Sequence, residues 1–296
     1  MADNRRVLVL GGSGFLGSHV ADQLSEAGYS VVIFDRVKSP YLRSNQVMIE
    51  GNILDTDQLY DAAKGCDYIY NFSAIADIGD AQEDPIQTTK INILGNTYAL
   101  DVAQRIGAKR FILASTVYVY SASGSFYRVS KQAAEKMTEA YYEATGLEYT
   151  ILRYGSLYGR RTNEKNSIYS YLKKSITTGS IQYGGSRHAV REYIHVLDAA
   201  KQSVEILKPE YRNKNMVLTG QERLGVEQLF MMISEMMPSP VTISFENKKN
   251  SGHYDMTPYK YQPSIGEKMI PRQTIDLGQG LLDTITWIYE EQEVIT

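Results

Sequence analysis

Between an apolar run, Val7–Leu10, and a helix-forming stretch that starts at Phe15 stands the segment Gly11-Gly12-Ser13-Gly14-Phe15-Leu16-Gly17. A strand that turns at once into a helix beside a dinucleotide needs glycine for three reasons. The turn is tight, the backbone must approach a pyrophosphate, and the helix must pack closely on the sheet. Both glycine registers are satisfied, Gly12/Gly14/Gly17 and Gly11/Gly14/Gly17. The helix that follows turns its N–H groups and the positive end of its dipole toward the phosphates. Asp35 ends the second apolar run, 18 residues after Gly17. Its carboxylate suits the ribose hydroxyls of adenosine and repels a 2′-phosphate, which favours NAD over NADP. Arg36, next in the chain, would stack on adenine or meet a phosphate. A lone glycine motif is weak; a strand before it, a helix after it and an acid beyond it make it strong.

The pattern around this turn repeats. Short apolar runs at Val7–Leu10, Val31–Phe34, Val47–Glu50, Tyr68–Asn71, Phe111–Ala114 and Tyr149–Leu152 read as strands. They alternate with helical stretches near 15–27, 56–64, 88–106 and 127–145. Such alternation, with strands apolar on both faces, predicts an α/β fold built on a doubly wound parallel sheet. After about residue 155 the rhythm breaks into Gly-, Arg- and Asn-rich loops (Gly159–Asn166, Tyr183–His188) and isolated strands, Met216–Thr219 and Val241–Phe245. Helices are expected near 167–178, 196–207, 226–236 and 279–290, with a loop from Lys248 to Gln273. The division expected is 1–155 for a dinucleotide-binding domain carrying the catalytic pair, and 156–296 mainly for a smaller lobe. Some segments of that lobe, Met216–Thr219 among them, return to the main sheet.

Composition narrows the function classes. With 43% hydrophobic and 22% charged residues, the 296-residue chain is an ordinary globular protein with ample core. A formal charge of −3 and the absence of a basic run argue against nucleic acid or an anionic membrane as partner. The single cysteine, Cys66, forms no internal disulfide, and no stretch is apolar enough to span a bilayer, so a cytoplasmic location is expected. His19, His188, His195 and His253 are scattered without ligand spacing, so no metal is expected. His195 reads as a strand or core-edge residue.

Chemistry enters with Tyr127-Arg-Val-Ser-Lys131, eleven residues after Thr116. On a helix, positions four apart share a face, which sets the Lys131 ammonium beside the Tyr127 phenol. A phenol titrates near pH 10, and half-ionising it at neutrality takes about 4 kcal/mol. One neighbouring cation supplies part of that. An oxidised nicotinamide carries a second positive charge, so the spacing fits a tyrosinate base that works beside a bound dinucleotide. Among 23 tyrosines the spacing also occurs at Tyr60…Lys64 and Tyr169…Lys173, where a solvated pair on one face is the expected reading. Context separates Tyr127 from them.

Four motifs occur in order: Gly11–Gly17, Tyr127-x-x-x-Lys131, Leu152-Arg-Tyr-Gly-Ser-Leu-Tyr-Gly159 and Val190-Arg-Glu-Tyr-Ile-His-Val-Leu-Asp198. Together they resemble the extended short-chain dehydrogenase/reductase family, in its nucleotide-sugar epimerase/dehydratase branch, over residues 5 to about 205. The resemblance implies a Rossmann-like domain that holds NAD and a small C-terminal lobe that closes over a nucleoside diphosphate sugar. It assigns Gly11, Gly14, Phe15, Leu16, Gly17, Asp35, Arg36, Asn52 and Ile53 to the adenosine and pyrophosphate end. Phe72, Ser73, Ala74, Asn92 and Tyr154 join the cofactor side, with Tyr127 and Lys131 at the nicotinamide ribose. Thr116, or Ser115 one step before it, would bond the reacting hydroxyl. Tyr118 would lie beside the sugar, and Ser156 and Arg191 would meet the substrate phosphates, Arg191 with its planar fork of donors. Arg187 reads as a solvated loop arginine. Pairing of the helices near 92–106 and 127–145 implies a homodimer or a dimer of dimers.

Three departures from the family pattern bear on the substrate. The Thr116-to-Tyr127 interval is short, so the sugar pocket is either open or covered from elsewhere. Ser156 replaces an asparagine, and Arg160-Arg161 follows Tyr158-Gly159 where proline is common. The expected reaction is oxidoreduction at C4 of the sugar, with Tyr127 moving the hydroxyl proton. A 4-epimerase heads the alternatives, followed by a 4-dehydrogenase and a 4-ketoreductase. Dehydration and sugar-acid decarboxylation are disfavoured because Val117-Tyr118 stand where an acidic residue is needed. A cofactor-binding sensor without turnover is the reading outside enzymology.

Overall fold

The structure is a computed structural model that describes residues 5–246 and 252–259. In chain order the elements begin β1 (Arg6–Leu10), α1 (Phe15–Glu26), β2 (Ser30–Asp35), β3 (Gln46–Glu50), α2 (Thr56–Ala63) and β4 (Tyr68–Asn71). Two short helices follow, α3 (Ile78–Glu83) and α4 (Pro85–Thr89). A π-helical turn, Lys90–Gly95, joins α4 to α5 (Asn96–Arg105), and β5 (Arg110–Thr116), a 3₁₀ turn (Val117–Tyr120) and α6 (Ser125–Thr145) come next. Beyond these lie β6 (Tyr149–Tyr154), β7 (Ser156–Tyr158), α7 (Ser167–Thr178), β8 (Ser180–Tyr183), β9 (Val190–His195), α8 (Val196–Glu205), β10 (Lys214–Leu218), β11 (Arg223–Gly225), α9 (Val226–Met236) and β12 (Thr242–Phe245).

Seven strands form one parallel sheet in the order β10-β6-β5-β4-β1-β2-β3. Successive strand side chains point to opposite faces, so each fully apolar strand feeds two cores. From β1, Leu8 and Leu10 pack in the layer under α2, α5 and α6, whereas Val7 and Val9 pack in the layer under α1 and α8. In β5, Phe111 and Leu113 take the first side, Ile112 and Ala114 the second. The chain reverses its direction of winding between β1 and β4. That places a crevice at the carboxyl ends of these strands, where ligands bind in such sheets.

The return of Met216–Thr219 to the sheet, expected from the sequence, is observed as β10 beside β6. The other strands of the second half make two small sheets, β11-β9-β7 and β12-β8. A third core of Ile181, Val226, Phe230 and Ile233 packs α9 on β8 and β12. All described residues of both halves fall in one compact unit, Met1–Gln262. The helix expected near 279–290 lies outside the described residues, as does most of the loop expected at Lys248–Gln273. No described helix is long and apolar enough to cross a membrane, and no cluster of three or more potential ligands for a metal occurs among the described residues.

Candidate active site

The crevice at the switch point is a cleft of about 540 Å³ lined by Gly11, Gly14, Asp35, Arg36, Asn52, Ile53, Phe72, Ser73 and Ala74, all expected from the sequence. The glycines are required by the space. Gly11 has a φ of +75°, and a Cβ there would stand 2.7 Å from Ser73 N; at Gly17 a Cβ would stand 2.3 Å from Gly11 O. The N-terminus of α1 has Gly14 as its cap and no side-chain cap, so its N–H groups face the cleft uncovered. Asp35 accepts from Ser13 N (3.0 Å) and Val37 N (3.3 Å), which orients its carboxylate at the cleft wall. This donor set and backbone cradle fit a dinucleotide with an unphosphorylated adenosine ribose.

One wall escaped the sequence reading. Asp80, Glu83, Asp84 and Gln87 of α3 and α4 line the same cleft. The signals were present, since Asp77 caps α3 through Asp80 N, and Asp84 caps α4 through Gln87 N with proline at the first helical position. The helices are too short for periodicity to reveal them. Lys165, from the loop before α7, pairs with Asp80 across the surface.

Asn92 does not line the cleft. It sits in the π-helical turn, only 2% exposed, and its amide clamps the loop after β4. It accepts from Ile75 N (2.8 Å), donates to Ile75 O (3.0 Å) and donates to Ser130 Oγ on α6 (2.9 Å). Tyr154, assigned to the cofactor by resemblance, points away from the cleft. Its place in β6 turns it into the layer beneath α8, where its hydroxyl meets Ser203 Oγ at 2.6 Å. Phe15, Leu16 and Gly17 form the first turn of α1 behind the cleft wall.

The alternation of β5 also separates Ser115 from Thr116. Ser115 turns toward α6 and donates to Glu135 Oε1 at 2.5 Å. Glu135 is held by Arg153 in a two-pronged pair of 2.9 and 2.6 Å, and Arg153 reaches the Tyr120 hydroxyl. Thr116 ends the strand, accepts from Tyr118 N at 3.3 Å, and its hydroxyl lies close enough to the Tyr127 phenol to lower its pKa. Thr116 is thus the hydroxyl on the Tyr127 side, and Ser115 belongs to a buried polar network behind it.

Tyr127 lies in the first turn of α6, whose cap Gly124 has a φ of +104°. A Cβ on Gly124 would stand 2.8 Å from the Tyr118 ring, so the short Ser121–Gly124 turn closes only with glycine there. Burial pushes the Tyr127 phenol up to about 12, opposed by the Thr116 hydrogen bond. Lys131 is 5% exposed and donates to Ala114 O at 2.8 Å. Burial lowers it to about 8, while Glu135 acts to raise it. The expected lowering of the Tyr127 pKa by Lys131 is therefore not among the effects that set it here; burial and Thr116 are. The other two Tyr–Lys pairs are solvated, with Lys64 bound to Asp61 and Lys173 to Glu164 on the surface.

On the substrate side, Tyr118 sets its ring edge-on to Tyr127 at 6.2 Å, and its phenol titrates well above the ordinary range because it is buried. Ser156 and Arg191 come from β7 and β9 of the small sheet, and both face the same side of the site. A residue that sequence reasoning left in a loop joins them: Tyr254, whose ring lies 4.6 Å from Tyr118. Arg187 pairs with Glu227 on the surface, and His195 caps α8 through Leu197 N, as their bland readings implied.

A parallel sheet with a glycine cradle at its switch point, and a Thr–Tyr–Lys set at the end of the next strand and helix, defines a dinucleotide-dependent oxidoreductive enzyme. The chain belongs to the NAD dependent epimerase/dehydratase family, which it matches over residues 7–220. It is 23% identical over 304 residues to a putative UDP-glucose 4-epimerase of Methanocaldococcus jannaschii, covering 95% of this chain and 98% of the relative. It is 24% identical to UDP-glucuronic acid decarboxylase 1 of Xenopus tropicalis, covering 98% of this chain and 74% of that one. Among solved structures, UDP-glucose 4-epimerase of Thermotoga maritima shares the fold at a TM-score of 0.77 and 24% identity, covering 86% and 90% of the two chains. UDP-glucuronic acid 4-epimerase of Bacillus cereus does so at 0.78 and 23%, covering 88% and 95%.

Proposed function

We propose that this enzyme is an NAD-dependent nucleoside diphosphate sugar 4-epimerase acting on a UDP-sugar. The observation that carries the reading is the placement of Thr116 against the Tyr127 phenol, with Lys131 buried one turn further along the same helix and Val117 and Tyr118 in place of a carboxylate. The chemistry a nicotinamide supplies when bound in this cleft is the reversible acceptance of a hydride. Gly11, Gly14, Asp35, Asn52 and Ser73 would hold that cofactor. Thr116 Oγ1 orients the C4 hydroxyl of the sugar, and Tyr127 Oη takes its proton and later returns it. Lys131, one turn along α6 and anchored on Ala114 O, would bind the nicotinamide ribose. Arg191 anchors the diphosphate. Relatives named as 4-epimerases of UDP-glucose and of UDP-glucuronate support this reading. Relatives named as decarboxylases are a weaker guide, because residues 117 and 118 are valine and tyrosine.

We further propose a cytoplasmic homodimer that serves sugar-nucleotide supply for polysaccharide synthesis. The apolar exposure of Leu94, Phe126 and Val129 on neighbouring helices supports the dimer.

The test is to incubate the NAD-loaded protein with UDP-glucose, UDP-N-acetylglucosamine and UDP-glucuronate and follow the products by proton NMR. The expected outcome is a C4 epimer with no net absorbance in the NADH band. Tyr127→Phe is expected to lower the rate by about 10²–10⁴-fold. Net NADH formation would make the enzyme a dehydrogenase, and loss of CO₂ from UDP-glucuronate would make it a decarboxylase; either overturns the epimerase reading.

A further inference from the structure

Tyr118, Ser156 and Arg191 come from three different elements, yet a single side chain touches all of them. The Tyr254 ring lies 4.6 Å from that of Tyr118, its hydroxyl is 3.5 Å from Ser156 Oγ, and Arg191 Cζ stands 4.4 Å over its face. Tyr254 is 6% exposed and Arg191 8%. The strap that carries it is registered on β9 on both sides of Arg191. Val190 N donates to Asp255 O at 2.6 Å, and Glu192 N donates to Thr257 Oγ1 at 3.2 Å. The Tyr259 hydroxyl bonds the Glu192 carboxylate. Arg191 and Tyr254 therefore keep one relative position as long as the strap is paired.

The chemistry of the contact points to a purpose. An arginine in an ion pair spends both its charge and its fork on the carboxylate. An arginine stacked on a ring keeps its charge and turns its in-plane N–H groups outward, toward an anion. Among the described residues Arg191 makes no salt bridge; its contacts are the Tyr254 face and the carbonyl of its own neighbour, Val190 O, at 3.4 Å. Beyond Tyr254 the ring contacts continue, tilted at Tyr118 and edge-on from Tyr118 to Tyr127, with centroids 6.2 Å apart in the last step. The strap meets Tyr118 twice, through the Tyr254 ring and through His253 Nδ1, which lies 2.6 Å from the Tyr118 hydroxyl.

We infer that Tyr254 is a positioning residue for the substrate diphosphate. It fixes the plane of the Arg191 guanidinium, and the column Arg191–Tyr254–Tyr118–Tyr127 sets the separation between the anion anchor and the reacting phenol. This rests on the nucleotide-sugar reading above. The experiment uses the full, NAD-loaded chain, with UDP titrated by calorimetry and UDP-sugar turnover followed in parallel. Tyr254→Leu is expected to weaken UDP about tenfold, the scale of one buried cation–π contact. The loss should appear in KM rather than kcat, and Tyr254→Phe, which keeps the ring, should recover most of it. In an Arg191→Ala background, Tyr254→Leu should add no further loss. Equal affinity of Tyr254→Leu and wild type overturns the inference. Tighter UDP binding by Tyr254→Leu also overturns it, because Tyr254 would then be a plug that substrate displaces. If wild type binds UDP and Arg191→Ala does not, such a result sinks this inference alone. If wild type binds NAD but no UDP, the nucleotide-sugar reading falls with it.

Discussion

Lys131 carries its charge where water cannot reach it, and that has a measurable consequence for folding. Its pKa falls from 10.5 to about 8 on burial, so between those two values the unfolded chain binds more protons than the folded one. Stability then rises with pH through this window, by up to about 3 kcal/mol for the single group. Tyr127 acts in the opposite sense higher up: raised from 10.0 to about 12, it holds a proton that the unfolded chain has lost, so stability falls across that range. The expected outcome is that wild type gains stability relative to Lys131→Met between about pH 8 and 10.5. Urea denaturation at a series of pH values checks it, and a constant difference between the two proteins would contradict the buried ammonium. Tyr127 and Lys131 were legible in the sequence because spacing alone sets a shared helix face. Ser115 and Thr116 were not separable, because a strand shows its two faces only once the register with β6 and the position of Glu135 are known. Tyr254 was invisible, since a contact between distant segments leaves no local pattern.

At the scale of elements, the helix from Pro85 to Arg105 changes pitch over Lys90–Gly95, and Asn92 lies within that turn. A π-helical turn inside an α-helix commonly accompanies a functional site. Here it delivers one amide to three partners: both backbone groups of Ile75 and the hydroxyl of Ser130, next to Lys131. Ile75 lines the cofactor cleft. Asn92→Leu removes these three bonds and should cost about 1–3 kcal/mol of stability, the scale of one buried polar group left unsatisfied, because Ser130 Oγ keeps its bond to Tyr127 O and the Ile75 groups are only partly buried. It should also weaken NAD binding by loosening the cleft wall, whereas Asn92→Asp, which keeps the acceptor for Ile75 N, should lose less. Denaturation midpoints and NAD titration separate the two effects, and an unchanged midpoint for Asn92→Leu would refute the clamp. Most sheet strands of the first half were readable because four to seven consecutive buried positions leave little choice of structure, seven of them in Arg110–Thr116. Short elements such as α3, β8 and β11 carry three to six residues and are shaped by partners far along the chain, which sequence periodicity does not reach.

For the whole molecule, the surface made by α4, the π-helical turn and α6 is the most telling. Ile86 is 69% exposed, Phe126 49%, Val129 48% and Leu94 40%. The elements that carry them, α4, α6 and the π-helical turn, are in contact with one another. Exposed apolar side chains grouped in this way are what an association surface requires, and the proposed homodimer would use them. A two-fold axis through it would bring the same helices of two copies together, the usual geometry of a homodimer. Phe126 is next to Tyr127, so the same contact would steady the first turn of α6 and with it the reacting phenol. The expected solution mass is twice 33.3 kDa by light scattering, or a multiple of that dimer. Because association stabilises the folded state by mass action, the thermal midpoint should rise with protein concentration. Phe126→Glu combined with Val129→Glu should give a monomer whose midpoint no longer depends on concentration and whose turnover is lower than that of the dimer. A wild type that stays at one chain mass at concentrations up to about 100 μM, well above the Kd of a stable homodimer, would show that this face serves something other than a second copy.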